Sequence, residues 1–423
     1  MSPLLGHVLA QVVSLGVADR TEGRYIVSAV DKRYEAATYL RAGLSLTWKN
    51  SALNVGYAPS LVVTPLDSPS RQALVFHSAG VAGTYHWQRT AVTASVGGGI
   101  GELNFQSQGL GDPRALAPAA NTPNLPGATP GATPGGTTTP PANGNMPGAG
   151  STTTNQTANR IRAINETVTF ATAVAAVDVV QTVSPTLSVS GGVGYFVSGS
   201  YGSSSSTNYP VVRGPRAQLL VAYQISRRDG LNSLLSAQYA TVSTGNNSWI
   251  YNANESWTHL FSKKTSSRLG AGLSASRTSQ PDGLIAWSIY PTFFSSIIYQ
   301  TKVERSQLSL SLTASSAPAL DPIRATVDPR LNLGVSAGWS LNRFYSALGA
   351  NTALSLLAPQ GADGQSKQNG ALSSVAGFLT MGYQLADALS LDTGMRAFWQ
   401  KYEGTAVVPL TWAAFVGFTV TPL

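Results

Sequence analysis

Six arginines, Arg41, Arg216, Arg268, Arg305, Arg330 and Arg396, recur along the chain among Gly, Ser, Asn and Gln neighbours. Large apolar residues fall out of phase with them. Leu269 and Leu273 follow Arg268, and Leu331, Leu333 and Val335 follow Arg330. Side chains two apart share one face of a strand, so each arginine belongs to a polar face backed by an apolar one. Asp392 stands four positions before Arg396 on the same face and is placed to pair with it. Charged side chains ringing a barrel set which ions pass, and an excess of guanidinium groups favours anions. Glu102, Glu166, Asp178 and Glu255 lie in strand-like stretches whose phase the sequence leaves open.

Catalytic chemistry finds little support. His77 adjoins Ser78, and Ser256 is three positions from His259, so on unbroken strands each pair points to opposite sides. His86 stands beside Trp87, and His7 lies in the least patterned part of the chain. No histidine pair has metal-ligand spacing, and no carboxylate pair has a recognisable acid–base setting. The run Gly97-Gly98-Gly99-Ile100-Gly101 sits inside a strand with no helix after it, which suits curvature better than phosphate binding. There is no cysteine, which excludes a disulfide framework and cysteine metal ligands. The expectation is a protein that is not an enzyme and holds no cofactor or metal. Its net charge of +8 is consistent with nucleic acid, anionic lipid or anionic solute, and the placement of the arginines favours solute over nucleic acid.

The elements that must position these residues are long strands. From Ala406 to Val420, the set Val408, Leu410, Trp412, Ala414, Val416, Phe418 and Val420 alternates with a smaller, more polar set. That pattern predicts one strand of about 15 residues, longer than soluble strands and suited to a tilted membrane crossing. Charged residues make up 11% of the chain, against roughly 25% in soluble proteins, and no apolar run approaches the length of a membrane helix. Alternating hairpins run from Ala37 onward. Short turns fall near Lys49, Arg89, Pro185, Arg228, Lys264, Lys302, Asn342 and Ala386, and longer connections fall between them. Short turns on one side and long loops on the other are the habit of transmembrane barrels. Seventeen strands after Ala37, plus one before it by parity, predict an all-β, antiparallel up-and-down transmembrane β-barrel of about 18 strands, within a range of 16–18.

On the apolar faces Trp48, Trp87, Phe261, Trp339 and Tyr383 lie beside short turns, and Phe418 lies near the C-terminus. Together they predict one aromatic girdle at a membrane interface. Residues 1–36 read as an N-terminal strand followed by a charged loop, because Asp19 to Glu35 carries eight charged residues. Residues 37–423 read as the barrel, with 109–160 a Pro/Gly/Thr-rich extracellular loop too poor in apolar residues to order itself. Met1 to Val17 shows neither a basic n-region nor a cleavage site, so export is inferred from the barrel pattern.

Residues 37–423 resemble bacterial outer-membrane β-barrels in alternation, loop asymmetry and girdle. The last strand looks like their assembly signal, with Gly417 followed by Phe418 and Val420, although the chain ends Thr421-Pro422-Leu423 rather than in an aromatic. A count near 18 and an arginine-rich lumen are similar to exopolysaccharide-export barrels and solute-specific porins. The resemblance implies a Gram-negative outer-membrane location and contact with outer-membrane lipid. It also implies insertion by barrel-assembly machinery and, for an export barrel, periplasmic export components as partners. The expected function is a channel with a basic lumen that passes anionic solutes or an exopolysaccharide chain. The alternative is a non-conducting structural or adhesive barrel that displays the long loop.

Overall fold

The computed structural model describes residues 12–27, 32–64, 72–104, 167–201, 210–243, 245–321, 326–355, 372–386, 388–402 and 410–420. All regular structure among them is β. The first nine strands are β1 (Val12–Val27), β2 (Lys32–Thr47), β3 (Ser51–Thr64), β4 (Gln72–Trp87), β5 (Thr90–Asn104), β6 (Thr167–Ser184), β7 (Leu187–Ser200), β8 (Val212–Gln224) and β9 (Asp229–Val242). The second nine are β10 (Asn247–Leu260), β11 (Thr265–Ser279), β12 (Ile285–Val303), β13 (Ser306–Asp321), β14 (Thr326–Leu341), β15 (Phe344–Ser355), β16 (Leu372–Ala386), β17 (Leu389–Tyr402) and β18 (Thr411–Val420). Each strand pairs antiparallel with its sequence neighbours, and β1 pairs with both β2 and β18. The sheet is therefore a closed up-and-down barrel without an edge, which is how a sheet satisfies its backbone groups inside a bilayer.

Alternation decides which side each residue takes. On β11, Leu269 and Leu273 point outward, and Leu273 is 60% exposed, while Ser274 between the same strands is fully enclosed. The outward set is rich in exposed Leu, Val, Ile and aromatic side chains all round the barrel. That composition fits lipid, not water. The tight turns use the left-handed backbone that two-residue hairpins demand. Gln88, Glu304 and Asn342, each the first of two turn residues, have φ of 45°, 52° and 52°.

One expectation is corrected. Asp19 to Glu35 is not a charged loop: β1 continues through it to Val27 and β2 begins at Lys32. Arg20, Glu22 and Arg24 on β1, like Arg33 and Glu35 on β2, are spaced by two, so charge gathers on one face of each strand, with Asp19 and Lys32 the exceptions. The closing strand is described from Thr411 to Val420, and the expected start at Ala406 lies, with 403–409, outside the described residues. The long Pro/Gly/Thr-rich stretch 109–160 and the terminal Thr421-Pro422-Leu423 lie outside them too.

One hairpin departs from the cylinder. Among the described residues β13 pairs with β12 as far as Ser316, opposite Phe293, although β12 itself reaches back to Ile285, and the described part of β15 ends at Ser355, opposite Arg330. Beyond Ser316, β13 leaves β12 and continues against β14, from Ala317 opposite Arg330 to Asp321 opposite Thr326. The tip turns inward. Val327 packs among Phe196, Val212, Ala240, Val242 and Ile250 of β7–β10, and Tyr290 Oη of β12 donates to its carbonyl at 3.2 Å. A strand four places away round a closed barrel is reached only across the interior.

Candidate functional site: the inner wall

The densest chemistry on the inner face lies at the seam where β1 meets β2 and β18. Register puts Arg20, Glu22 and Arg24 of β1 inward, opposite Tyr39, Ala37 and Glu35 of β2. Glu22 and Glu35 are fully enclosed and Arg24 almost so. Glu22 accepts from Arg24 and from Arg396 of β17 at 3.2 and 3.4 Å, and forms an ion pair with Arg20 at 3.2 Å. Glu35 accepts from Arg33 Nε at 2.8 Å and from Thr64 at 3.0 Å, and lies 3.9 Å from Arg24. Arg24 also donates to Tyr39 Oη. Phe415 of β18 offers its ring to Arg396 at 4.0 Å and to Arg20 at 5.8 Å, the geometry of cation–π attraction. Four guanidinium groups thus share two carboxylates and an aromatic face. A buried ion is costly unless paired and hydrogen-bonded, and here each charge supplies the compensation its neighbours need.

The arginines singled out by phase take different places. Arg41, Arg216, Arg268, Arg330 and Arg396 all fall in the inward set. Arg216 faces Asp178, which accepts from Gln218 at 3.2 Å. Gly192 and Gly194 leave the room this needs, since a Cβ at either would crowd Asp178 or the Arg216 guanidinium. Arg268 donates to Ser256 at 2.8 and 3.1 Å and lies over the Phe294 ring at 5.5 Å. Arg305 is a correction. It sits with Glu304 in the two-residue turn after β12, outside the strand register, because β12 runs to Val303 before reversing. Asp392 accepts from Tyr345 Oη and from Thr419 at 3.1 Å. Arg330, only 5% exposed, stands at the root of the inward-turned hairpin. Its Nε is enclosed with no hydrogen-bond partner among the described residues.

The acids of unknown phase separate cleanly. Asp178 points inward; Glu102 and Glu255 point outward; Glu166 lies outside the described residues. Glu255 accepts from Ser233 at 2.7 Å on the outer face. Ser78 and Ser256 face inward while His77 and His259 face outward, where His77 meets Tyr57 Oη and His259 meets Asp229, both at 2.7 Å. Nucleophile and base are thus divided by the wall itself.

The aromatic positions divide between the two rims. Trp87, Trp339, Tyr383 and Phe418 point outward at the short-turn end, with Trp48 and Phe261 just past their strands. Trp339 Nε1 donates to Ser306 at 2.8 Å and stacks near Phe344, 5.5 Å between centroids. A second ring at the long-loop end was not foreseen. Tyr25 lies 4.7 Å from Tyr34 and 6.1 Å from Trp412, and Tyr239 lies 4.6 Å from Trp249. Two aromatic rims with an apolar band between them match a bilayer's two interfaces.

A closed 18-stranded barrel with an apolar outer band and a polar, charged interior defines a transmembrane β-barrel of pore-forming size. Over residues 27–283, more than half its length, the chain matches the EpsX exopolysaccharide export family, and it belongs to that family. No curated protein matches it. Among solved structures it is similar to OccK2 (OpdF) of Pseudomonas aeruginosa, at 9% identity over 98% of both chains with a TM-score of 0.47. The same protein in complex with glucuronate is similar at 12% identity over 98% of this chain and all of that one, TM-score 0.45. OccAB3 of Acinetobacter baumannii follows at 10% identity over 97% of this chain and 100% of that chain, TM-score 0.43.

Proposed function

We propose that the protein is an export channel in the outer membrane of a Gram-negative bacterium, passing an exopolysaccharide chain that carries anionic groups. Membership of the export family supports the polysaccharide. The observation that supports the charge of the cargo is the inward row Arg41, Arg216, Arg268, Arg330 and Arg396, joined by Arg20, Arg24 and Arg33 at the seam, against fewer inward carboxylates among the described residues. Guanidinium groups held on a polar wall attract carboxylate and repel cations along the whole path. Tyr39 and Phe294, half-buried on the same wall, add flat surface against which a sugar ring can slide. In this reading the short turns face the periplasm, where export components deliver the chain, and barrel-assembly machinery places the outward face against outer-membrane lipid.

The test is the reversal potential of the purified protein in a planar bilayer under a salt gradient. An anion-selective current is expected, and Arg41→Gln with Arg268→Gln moves the reversal potential toward zero. A cation-selective current would overturn the basic path. Complete silence would favour a structural barrel that displays its loops.

A further inference from the structure

We propose that two adjacent short turns, one after β8 and one after β10, form a docking surface for the phosphate groups of anionic phospholipid in the leaflet at the short-turn end. The proposal rests on the membrane setting of the reading above, not on conduction. Both turns are built alike. Ser226-Arg227-Arg228-Asp229 and Ser262-Lys263-Lys264-Thr265 each place two exposed cations after a serine. Ser226 Oγ accepts from the backbone N–H of Arg228 at 3.0 Å and of Asp229 at 3.1 Å. Ser262 Oγ accepts from those of Lys264 and Thr265, both at 3.1 Å. The turns are also tied sideways to the wall. The Arg228 carbonyl accepts from Leu260 N at 2.8 Å, and the Lys264 carbonyl from Gln300 N at 2.7 Å. Successive short turns are two strand spacings apart, so the cation pairs stand roughly 10 Å apart on a fixed frame.

Four cations thus gather on one sector of the rim, and none of them forms an ion pair among the described residues. The acid beside them, Asp229, is engaged with its own neighbours. It accepts from Ser226 Oγ at 2.6 Å and Trp257 Nε1 at 3.1 Å, and meets His259 Nδ1 at 2.7 Å. Next to the cations the outer face turns apolar. Ile225 and Phe261, each directly before its turn serine, are more than half exposed. Trp257, His259 and Phe261 run as a row of rings along β10 to the turn, with centroids 5.2 and 4.6 Å apart. A soluble acidic partner has no use for that apolar skirt. A phospholipid uses both parts: its phosphate accepts from guanidinium and ammonium groups, and its acyl chains cover the rings. A zwitterionic headgroup would bring its own ammonium group into the cluster, so a headgroup of net negative charge is preferred.

Native mass spectrometry of the full chain released from detergent micelles tests the surface. Phosphatidylglycerol and phosphatidylethanolamine with identical acyl chains are supplied in equal amounts, and the phosphatidylglycerol-bound form is expected to dominate several-fold. Arg228→Gln with Lys264→Gln should cut that preference about fivefold or more, the factor that one cation at a membrane surface supplies. Arg228→Lys with Lys264→Arg should retain it. Lys49→Gln with Arg89→Gln removes the same charge from other short turns and should leave the preference in place. All four substituted side chains are exposed on turns, so each variant is expected to fold. Equal occupancy by the two lipids, or an equal loss from the two glutamine pairs, overturns the lipid site. Retention of an oligogalacturonate without any preference for phosphatidylglycerol also overturns it, and makes the surface a collar for acidic saccharide. No current enters the readout, so a silent barrel would sink the channel reading without touching this one.

Discussion

Glu22→Gln is expected to destabilise the folded barrel by about 3–5 kcal/mol, the penalty for removing one member of a buried ionic cluster. The substitution keeps the size of the side chain and removes only its charge. Arg24 and Arg396 then face the same enclosed spot without the countercharge that accepts from both. Urea unfolding in detergent micelles, followed by tryptophan fluorescence, measures the shift in midpoint. A rim control is Arg89→Gln, whose exposed guanidinium donates to the Val183 carbonyl at 3.4 Å. That change should stay within about 0.5 kcal/mol, as surface substitutions usually do. Equal shifts for the two variants would mean that the seam cluster is solvated and carries no special weight.

Val335→Arg should destabilise the barrel by about 2–4 kcal/mol, whereas Ser336→Arg, one residue further on, should stay near 1 kcal/mol. Both lie in the middle of β14. Val335 is half exposed on the outer face, and Ser336 shares a 2.9 Å hydrogen bond with Ser311 on the inner one. An arginine in the apolar band has no water to hydrate it, while one in the lumen joins residues of its own kind. The comparison measured in lipid bilayers reads the embedding directly. If the two substitutions cost the same, water reaches both faces and the outer band does not contact lipid.

The barrel was legible because its rule is local and repeated. Two-residue alternation and the unequal lengths of successive connections need no knowledge of distant contacts, so most strands fall where the sequence pattern puts them. The failures are equally instructive. Asp19 to Glu35 reads as a loop by charge density and as strand by period, and period decides. Arg20, Glu22 and Arg24, like Arg33 and Glu35, are spaced by two, which is the strand signal written in charges instead of leucines. Arg305 failed for the opposite reason: its neighbours alternate well, but a turn of two residues takes it out of the wall. The pairing of Arg396 with Glu22 and the inward turn at Ser316 depend on contacts between strands far apart in the chain. No local pattern carries that information.

The seam also bears on how the cylinder is finished. Glu22 and Arg396 are separated by 374 positions, so their contact exists only after the first and last strands have met. A slip of one residue along β1 would turn Glu22 and Arg24 toward lipid and bring Thr21 and Tyr25 inward. An arginine turned into lipid costs about 2–4 kcal/mol at the bilayer midplane and about 0–1 kcal/mol near the interfaces, so Arg20 weighs more in the register than Arg24, which adjoins the rim residue Tyr25. An apolar seam would tolerate several near-equivalent alignments, but one written in alternating charge tolerates few. The cluster thus works as a proofreading key for barrel closure, rejecting misaligned ends before the cylinder locks.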